Sequence, residues 1–200
     1  ELNPEILVIT NIELDHTDFF PSLAALQSTF RTAVEKVPAS GVIICNPEDP
    51  NVAAVIKNAN ARIVDYTQKA VGSLLLVGEF NRENARAALA AAQAAAPLLS
   101  QEAAVKSLSE FRGSWRRFEY KGETAQGALV YDDYAHHPTA VAKTIAGARE
   151  KFPDKIDIFI SGDKISAIGS FPNKKADEII DGQGCFLSPG FIDVNTDSDH

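Results

Sequence analysis

Three short apolar runs alternate with helical spacing in the first third of the chain, and this alternation constrains the fold more than any other feature. Ile6-Leu7-Val8-Ile9-Thr10, Gly41-Val42-Ile43-Ile44-Cys45 and Ala61-Arg62-Ile63-Val64-Asp65-Tyr66 are β-rich and lack the in/out alternation of a half-exposed strand. The first two fit strands buried on both faces, and the third reads as another strand. Between them, Ser22 to Lys36 carries Leu23, Leu26, Phe30 and Val34 at helical spacing, and Val52 to Asn58 reads as a shorter helix. Strand, helix, strand, helix, strand implies an α/β layer structure.

Farther on, Arg82 to Leu99 is Ala-rich with few breakers, which predicts a long helix beginning near Asn81 whose Ala face packs closely on its neighbours. Ser107 to Trp115 reads as a connector. Arg117 to Tyr120 and Ala128 to Tyr131 suggest a hairpin whose second strand delivers Asp132 and Asp133. Thr139 to Lys151 is the next predicted helix, with Pro138 in its first turn and Pro153 beyond its end. After Pro153 the texture turns β-rich. Asp157 to Gly169 reads as a hairpin, Ala176 to Gly184 as a second short β unit, and Ser188 to Val194 as a further strand.

Polar clusters follow the buried runs, where ligand groups gather in open α/β sheets. They are Asn11-Ile12-Glu13-Leu14-Asp15-His16-Thr17-Asp18, Gly78-Glu79-Phe80-Asn81-Arg82-Glu83-Asn84, and Tyr131-Asp132-Asp133-Tyr134-Ala135-His136-His137-Pro138. His16, flanked by Asp15 and Asp18, is a candidate cation ligand, or else a loop histidine bonded to a neighbour. Asn81 and Asn84 share one side of a helical turn and can read a purine edge, unless Asn81 only caps the helix. Arg117 offers a forked donor to phosphate oxygens, while Arg116 suits an ordinary salt bridge. Asp133 and His137 either face a ligand or satisfy backbone donors of a capped loop.

In this order the three clusters resemble the Mur ligase family, which builds the peptide stem of peptidoglycan. Within it the likeness is to the branch that loads L-alanine, or a whole tripeptide, onto UDP-N-acetylmuramate, and Ala135 with Thr139-Ala140 leans toward the tripeptide. The resemblance implies an ATP- and Mg²⁺-dependent ligase forming an amide bond. His16 would serve the metal, its partner carboxylate lying before Glu1. Asn81 and Asn84 would contact the nucleotide. Arg117 and Asp133 would be catalytic and contact the nucleotide at the domain boundary, and Tyr134, His136 and His137 would face the second substrate. Phe80 stands where the family pattern has His. The implied fold is α/β: a partial central ATPase-like domain over 1–108, the start of a Rossmann-like C-terminal domain over 109–154, and a small β-rich segment over 155–200.

That last segment, with Pro189-Gly190-Phe191-Ile192-Asp193-Val194, resembles the start of an amidohydrolase of the N-acyl-D-amino-acid deacylase group. Asn195-Thr196-Asp197 replaces the metal-binding His-x-His expected there, so no metal site is assigned to it. Two other readings therefore stand beside the ligase: a deacylase fragment and a non-catalytic fusion remnant.

The chain contains no Gly-x-x-x-x-Gly-Lys-Ser/Thr phosphate loop, opens on Glu1 and has no Met. It is expected to be a piece of a longer protein, missing upstream ligase domains and inactive alone. Net charge of −8 opposes a general nucleic-acid-binding role. No run approaches the ~20 apolar residues of a membrane span. Cys45 and Cys185 lie in unrelated segments, which argues against a disulfide framework and makes a cytoplasmic setting the expectation.

Overall fold

The computed structural model describes residues 3–123 and 129–152, with the backbone of 157–161 and 164–169. The elements in chain order are β1 (Ile6–Ile9), α1 (Leu23–Glu35), β2 (Val42–Cys45), α2 (Pro50–Ile56), β3 (Arg62–Asp65), a 3-10 turn (Tyr66–Gln68), α3 (Glu79–Ala95), α4 (Gln101–Glu110), β4 (Glu119–Glu123), β5 (Leu129–Asp132), α5 (Pro138–Lys151), β6 (Asp157–Ser161) and β7 (Lys164–Gly169). They fall into two compact units, Glu1–Pro153 and Asp154–His200.

In the first unit β1, β2 and β3 form a parallel sheet in that order, with Ile9 opposite Cys45 and Cys45 opposite Asp65. Successive side chains leave a strand on opposite faces, and both faces are covered. Ile9, Ile43 and Cys45 pack with Leu26 and Val34 of α1 and Val52 and Val55 of α2. On the other face Ile44 packs with Tyr66 and with Ala87 and Ala90 of α3. Burial on both sides is why β2 is apolar throughout; Ile43, Ile44 and Cys45 are all 0% exposed. The small side chains of α3 let it lie close to the sheet, as the Ala-rich sequence implied.

Helix ends follow their capping residues. Ser22 Oγ accepts from the Ala25 amide at the start of α1. Asp49 accepts from the amides of Asn51 and Val52 at 2.8 and 3.0 Å ahead of α2, with Pro50 in its first turn. Asp49→Ala removes both bonds and is expected to cost about 1 kcal/mol, read as a lower urea midpoint with an unchanged slope.

Two predicted boundaries need correction. The long helix stops at Ala95 rather than reaching Leu99, and the stretch read as a connector, Ser107 to Trp115, begins inside a helix, since α4 covers Gln101–Glu110. Pro97 prevents continuation. Ser100 then starts a new helix, its hydroxyl accepting from the Ala103 amide. Ala104 of α4 packs with Ala85 and Leu89 of α3, so the helices fold back on one another.

β4 and β5 form the expected antiparallel hairpin, with Glu119 opposite Asp132 and a register shift between Tyr120 and Gly122. In the second unit β6 and β7 form the hairpin read from Asp157 to Gly169. The proposed β unit over 176–184 and the strand over 188–194 lie outside the described residues.

Candidate functional site

β1 ends in a loop fixed from two sides. Asn51 Nδ2 donates to the Ile12 carbonyl at 2.9 Å and the Tyr66 hydroxyl donates to the Thr10 carbonyl at 3.0 Å. Ile12 is buried and anchors the loop in the core, while the intervening side chains Asn11, Glu13 and Asp15 line a cavity. Asp15 accepts from the His16 amide, which is the main reason its carboxyl is held below the usual carboxylate range; the positive charges of His16 and His136 act in the same direction.

α3 is preceded by its capping residue Gly78, whose φ of +91° is a left-handed value that favours glycine. Asn81 does not cap the helix: it sits inside the first turn and its side-chain amide donates to the Val77 carbonyl at 2.7 Å. Asn81 and Asn84 both border the cavity.

Opposite them is the turn leading into β4. Arg116 and Phe118 both have positive φ, 53° and 49°, an uncommon state for side chains of this size. Asp133 holds the turn in place. One carboxylate oxygen accepts from the Phe118 amide at 2.7 Å; the other accepts from the Ala135 amide at 2.7 Å and the Thr144 hydroxyl at 3.3 Å. A single side chain thus ties together the hairpin, the following loop and α5. Arg116 pairs with Asp132 at 3.4 Å, the salt-bridge role expected of it, and lies over the Trp115 and Tyr134 rings. Arg117 makes no ion pair among the described residues; its guanidinium is 5.9 Å from the centre of the Tyr134 ring.

The loop from Tyr134 to His137 closes the cavity against the β1 loop. His136 Nε2 is 3.4 Å from Asp15 and its Nδ1 is 3.0 Å from the Tyr134 carbonyl. His137 Nδ1 is 3.1 Å from Glu13 and 3.3 Å from the Thr139 amide at the start of α5. The cavity encloses about 680 Å³. Seven of the eight sequence-predicted residues border it: Asn81, Asn84, Arg117, Asp133, Tyr134, His136 and His137. His16 does not. It is exposed, with φ of 51°, and its carbonyl accepts from the Phe19 and Phe20 amides.

Sequence reasoning passed over the contacts that hold the cavity walls together. Arg82 of α3 makes two bonds to Glu150 of α5, at 2.9 and 3.0 Å, and a third to Glu79 at 2.6 Å; Glu150 also accepts from the Gly78 amide at 3.2 Å. No local signal marks a pair 68 residues apart. Hydrogen bonds from Arg82 are the first cause that lowers the Glu79 and Glu150 carboxyls below the ordinary glutamate value. A lowered folded-state value stabilises above the unfolded value and is lost as pH falls through the folded one. Acidification through about pH 4 and below is therefore expected to loosen α5 from α3. Arg82→Ala should flatten that part of the thermal stability–pH curve relative to the unsubstituted chain.

Among the described residues no group of three His, Cys, Asp or Glu side chains is placed to hold a metal ion, and no helix is long and apolar enough to cross a membrane. Cys45 is buried and free, its thiol pushed up to about 11 by burial and then by the Asp65 charge, so it is not a nucleophile.

Residues 1–74 match the Mur ligase middle domain and residues 116–180 the Mur ligase glutamate ligase domain. The second match runs past Asp154 into the segment read as amidohydrolase-like, and the family matches lend that reading no support. A UDP-N-acetylmuramate--L-alanine ligase from Desulfitobacterium hafniense is 35% identical over 76% of this chain and 39% of its own length. The enzyme of the same name from Salinibacter ruber is 36% identical over 77% and 38%. The chain thus spans about two-fifths of the length of these curated relatives. A murein peptide ligase structure from Psychrobacter arcticus superposes with a TM-score of 0.54 at 28% identity, over 77% of this chain and 36% of that one. The UDP-N-acetylmuramate-alanine ligase of Thermotoga maritima, at 23% identity and TM-score 0.56 over 76% and 40%, shares the fold. The α/β layers, the three polar clusters in order and the two domain matches agree, and the chain belongs to the Mur ligase family, carrying parts of its middle and C-terminal domains.

Proposed function

We propose that this chain is the nucleotide- and amine-binding part of a cytoplasmic, ATP-dependent ligase that joins L-alanine to the carboxyl group of UDP-N-acetylmuramate in peptidoglycan synthesis. One observation carries the reading: the α3 amides, Arg117, Asp133 and the Tyr134–His137 loop, from separate segments, border one cavity. The names of the relatives that are 33–36% identical favour L-alanine over a tripeptide as second substrate.

ATP, when bound, supplies the phosphoryl group that activates the substrate carboxyl. Around it, the Asn81 and Asn84 amides can donate and accept along a purine edge. Arg117, unpaired by any carboxylate among the described residues, offers its fork to phosphate oxygens. Asp133 keeps Arg117 and Tyr134 in register by fixing the backbone on both sides. Tyr134, His136 and His137, beside Glu13 and Asp15, form the wall for the amino acid. The family also uses Mg²⁺, for which His16 is the candidate here. Among the described residues its surroundings do not complete a cation site.

Titration of the chain with ATP, followed by backbone amide shifts, tests this reading. Shifts centred on Asn84, Arg117 and Asp133 are expected, and adenosine should reproduce those at Asn81 and Asn84. Shifts scattered elsewhere, or none at millimolar ATP, would remove the basis for a nucleotide site.

A further inference from the structure

His137 Nδ1 has two neighbours that make opposite demands on it. To accept from the Thr139 amide at 3.3 Å it must present a lone pair; to bond Glu13 Oε2 at 3.1 Å it must carry a proton. One tautomer cannot satisfy both. A bare Nδ1 would set its lone pair against a carboxylate oxygen, whereas a protonated one donates a charge-assisted bond, the stronger of the two interactions. The Thr139 amide can turn to water instead, because it lies in the first helical turn and is one of the donors a helix leaves unsatisfied.

We propose that Glu13 is a positioning residue that fixes His137 with its proton on Nδ1, leaving the Nε2 lone pair to take a proton from the ammonium group of the amino-acid substrate. This rests on the amide-ligase reading above. Nε2 has no hydrogen-bond partner among the described residues, and both Glu13 and His137 border the cavity. The other charged or titratable groups bordering it among the described residues are Asp15 on the β1 loop, Tyr66 after β3, Glu83 on α3, Arg117, Asp133, Tyr134 and His136 around the hairpin, and Lys143 on α5. Glu83 and Lys143 pair with each other at 3.2 Å, Asp15 faces His136, and Asp133 accepts from two backbone amides and the Thr144 hydroxyl, which leaves Glu13 as the carboxylate set on His137.

The chemistry requires such a group. An amino acid near neutral pH carries an ammonium with no lone pair, so it cannot attack. Nε2 accepts one proton, and Glu13 stabilises the resulting imidazolium through Nδ1–H. The freed nitrogen pair forms the C–N bond at the activated carboxyl while the C–O bond to phosphate breaks. Phosphate leaves with that electron pair, and the second proton lost by nitrogen departs with it.

Long-range ¹H–¹⁵N correlation of the imidazole rings, recorded above the histidine titration, reads the tautomer directly. The chain has four histidines, and His137→Asn, which keeps a capping side chain, assigns the signal. The Nδ1–H form is expected in the unsubstituted chain. In Glu13→Gln the side-chain amide can donate to Nδ1, and the Nε2–H form is expected. An Nε2–H form already present without substitution, unchanged in Glu13→Gln, would overturn the proposal and leave His137 as the α5 cap alone. Adding L-alanine should move the Nε2 resonance of the unsubstituted chain and not that of Glu13→Gln. No response to L-alanine in a chain that does respond to ATP would overturn the role given to Nε2. Silence toward ATP at Asn84 and Arg117 would instead sink the ligase reading, whichever tautomer His137 holds.

Discussion

Asp133→Ala is expected to destabilise the first unit by about 2–4 kcal/mol and to abolish the cavity as a binding site. The carboxylate accepts from two backbone amides and one hydroxyl, in three different places: the turn before β4, the loop after β5 and the middle of α5. Without it the Phe118 amide loses its acceptor, and the positive φ of Arg116 and Phe118 is left to the remaining bonds, from the Arg116 amide to Glu119 and from the Tyr134 amide to the Arg116 carbonyl. The turn would relax toward ordinary backbone angles and carry Arg117 away from Tyr134. Asp133→Asn separates the two contributions, since its single carbonyl oxygen can keep one amide bond and its amide nitrogen can keep none. Urea unfolding should rank the chains as unsubstituted, then Asn, then Ala. A loss in Asp133→Ala no larger than at an exposed carboxylate, about 0.5 kcal/mol, would show that the turn is held by other contacts.

The same residue shows what a sequence can and cannot disclose. Its place in the Tyr131–Pro138 string marked it as a site residue, and the alternative reading of that string was backbone satisfaction. The structure shows Asp133 satisfying backbone donors at the edge of the cavity, so the two readings were never exclusive. The sheet and its covering helices were legible because burial on both faces writes itself into consecutive residues such as Ile43, Ile44 and Cys45. The α3–α4 break was obscured by helix propensity, which runs high through the Ala-rich stretch and gives little weight to one proline followed by a capping serine. The alternative of Asn81 as a cap stays open in the sequence because the capping position itself is a glycine with no side chain to announce it. Glu13 lay within a recognised cluster, yet its partner His137 is over a hundred residues away, and only folding brings them together. Long-range polar pairs have no period, and therefore no signature in one sequence.

Gly147→Leu is expected to pry α5 from α3 while leaving the three-layer core intact. Glycine inside a helix costs about 1 kcal/mol relative to alanine, and Gly147 is buried in the middle of α5. The reason is the close approach of the two helices: a Cβ there would lie 3.3 Å from the Gly78 Cα and 3.4 Å from the Phe80 ring. Alanine can be accommodated by a small shift of the ring, with its gain in helix propensity roughly balancing the crowding. Leucine cannot, and overpacking of this kind costs about 1–3 kcal/mol. Arg82 and Glu150, both partly exposed, are too weakly coupled through solvent to hold the helices against that strain. Amide hydrogen exchange distinguishes a local opening from global loss. With about 2 kcal/mol lost at the joint, protection across 138–151 should fall roughly 30-fold, while that of β2 stays unchanged. ATP-induced shifts at Asn84 should survive, because α3 keeps its packing on the sheet, and those at Arg117 and Asp133 should disappear. Equal loss of protection in β2 and α5 would mean that the cavity walls belong to one cooperative unit and that α5 cannot be moved independently of the core.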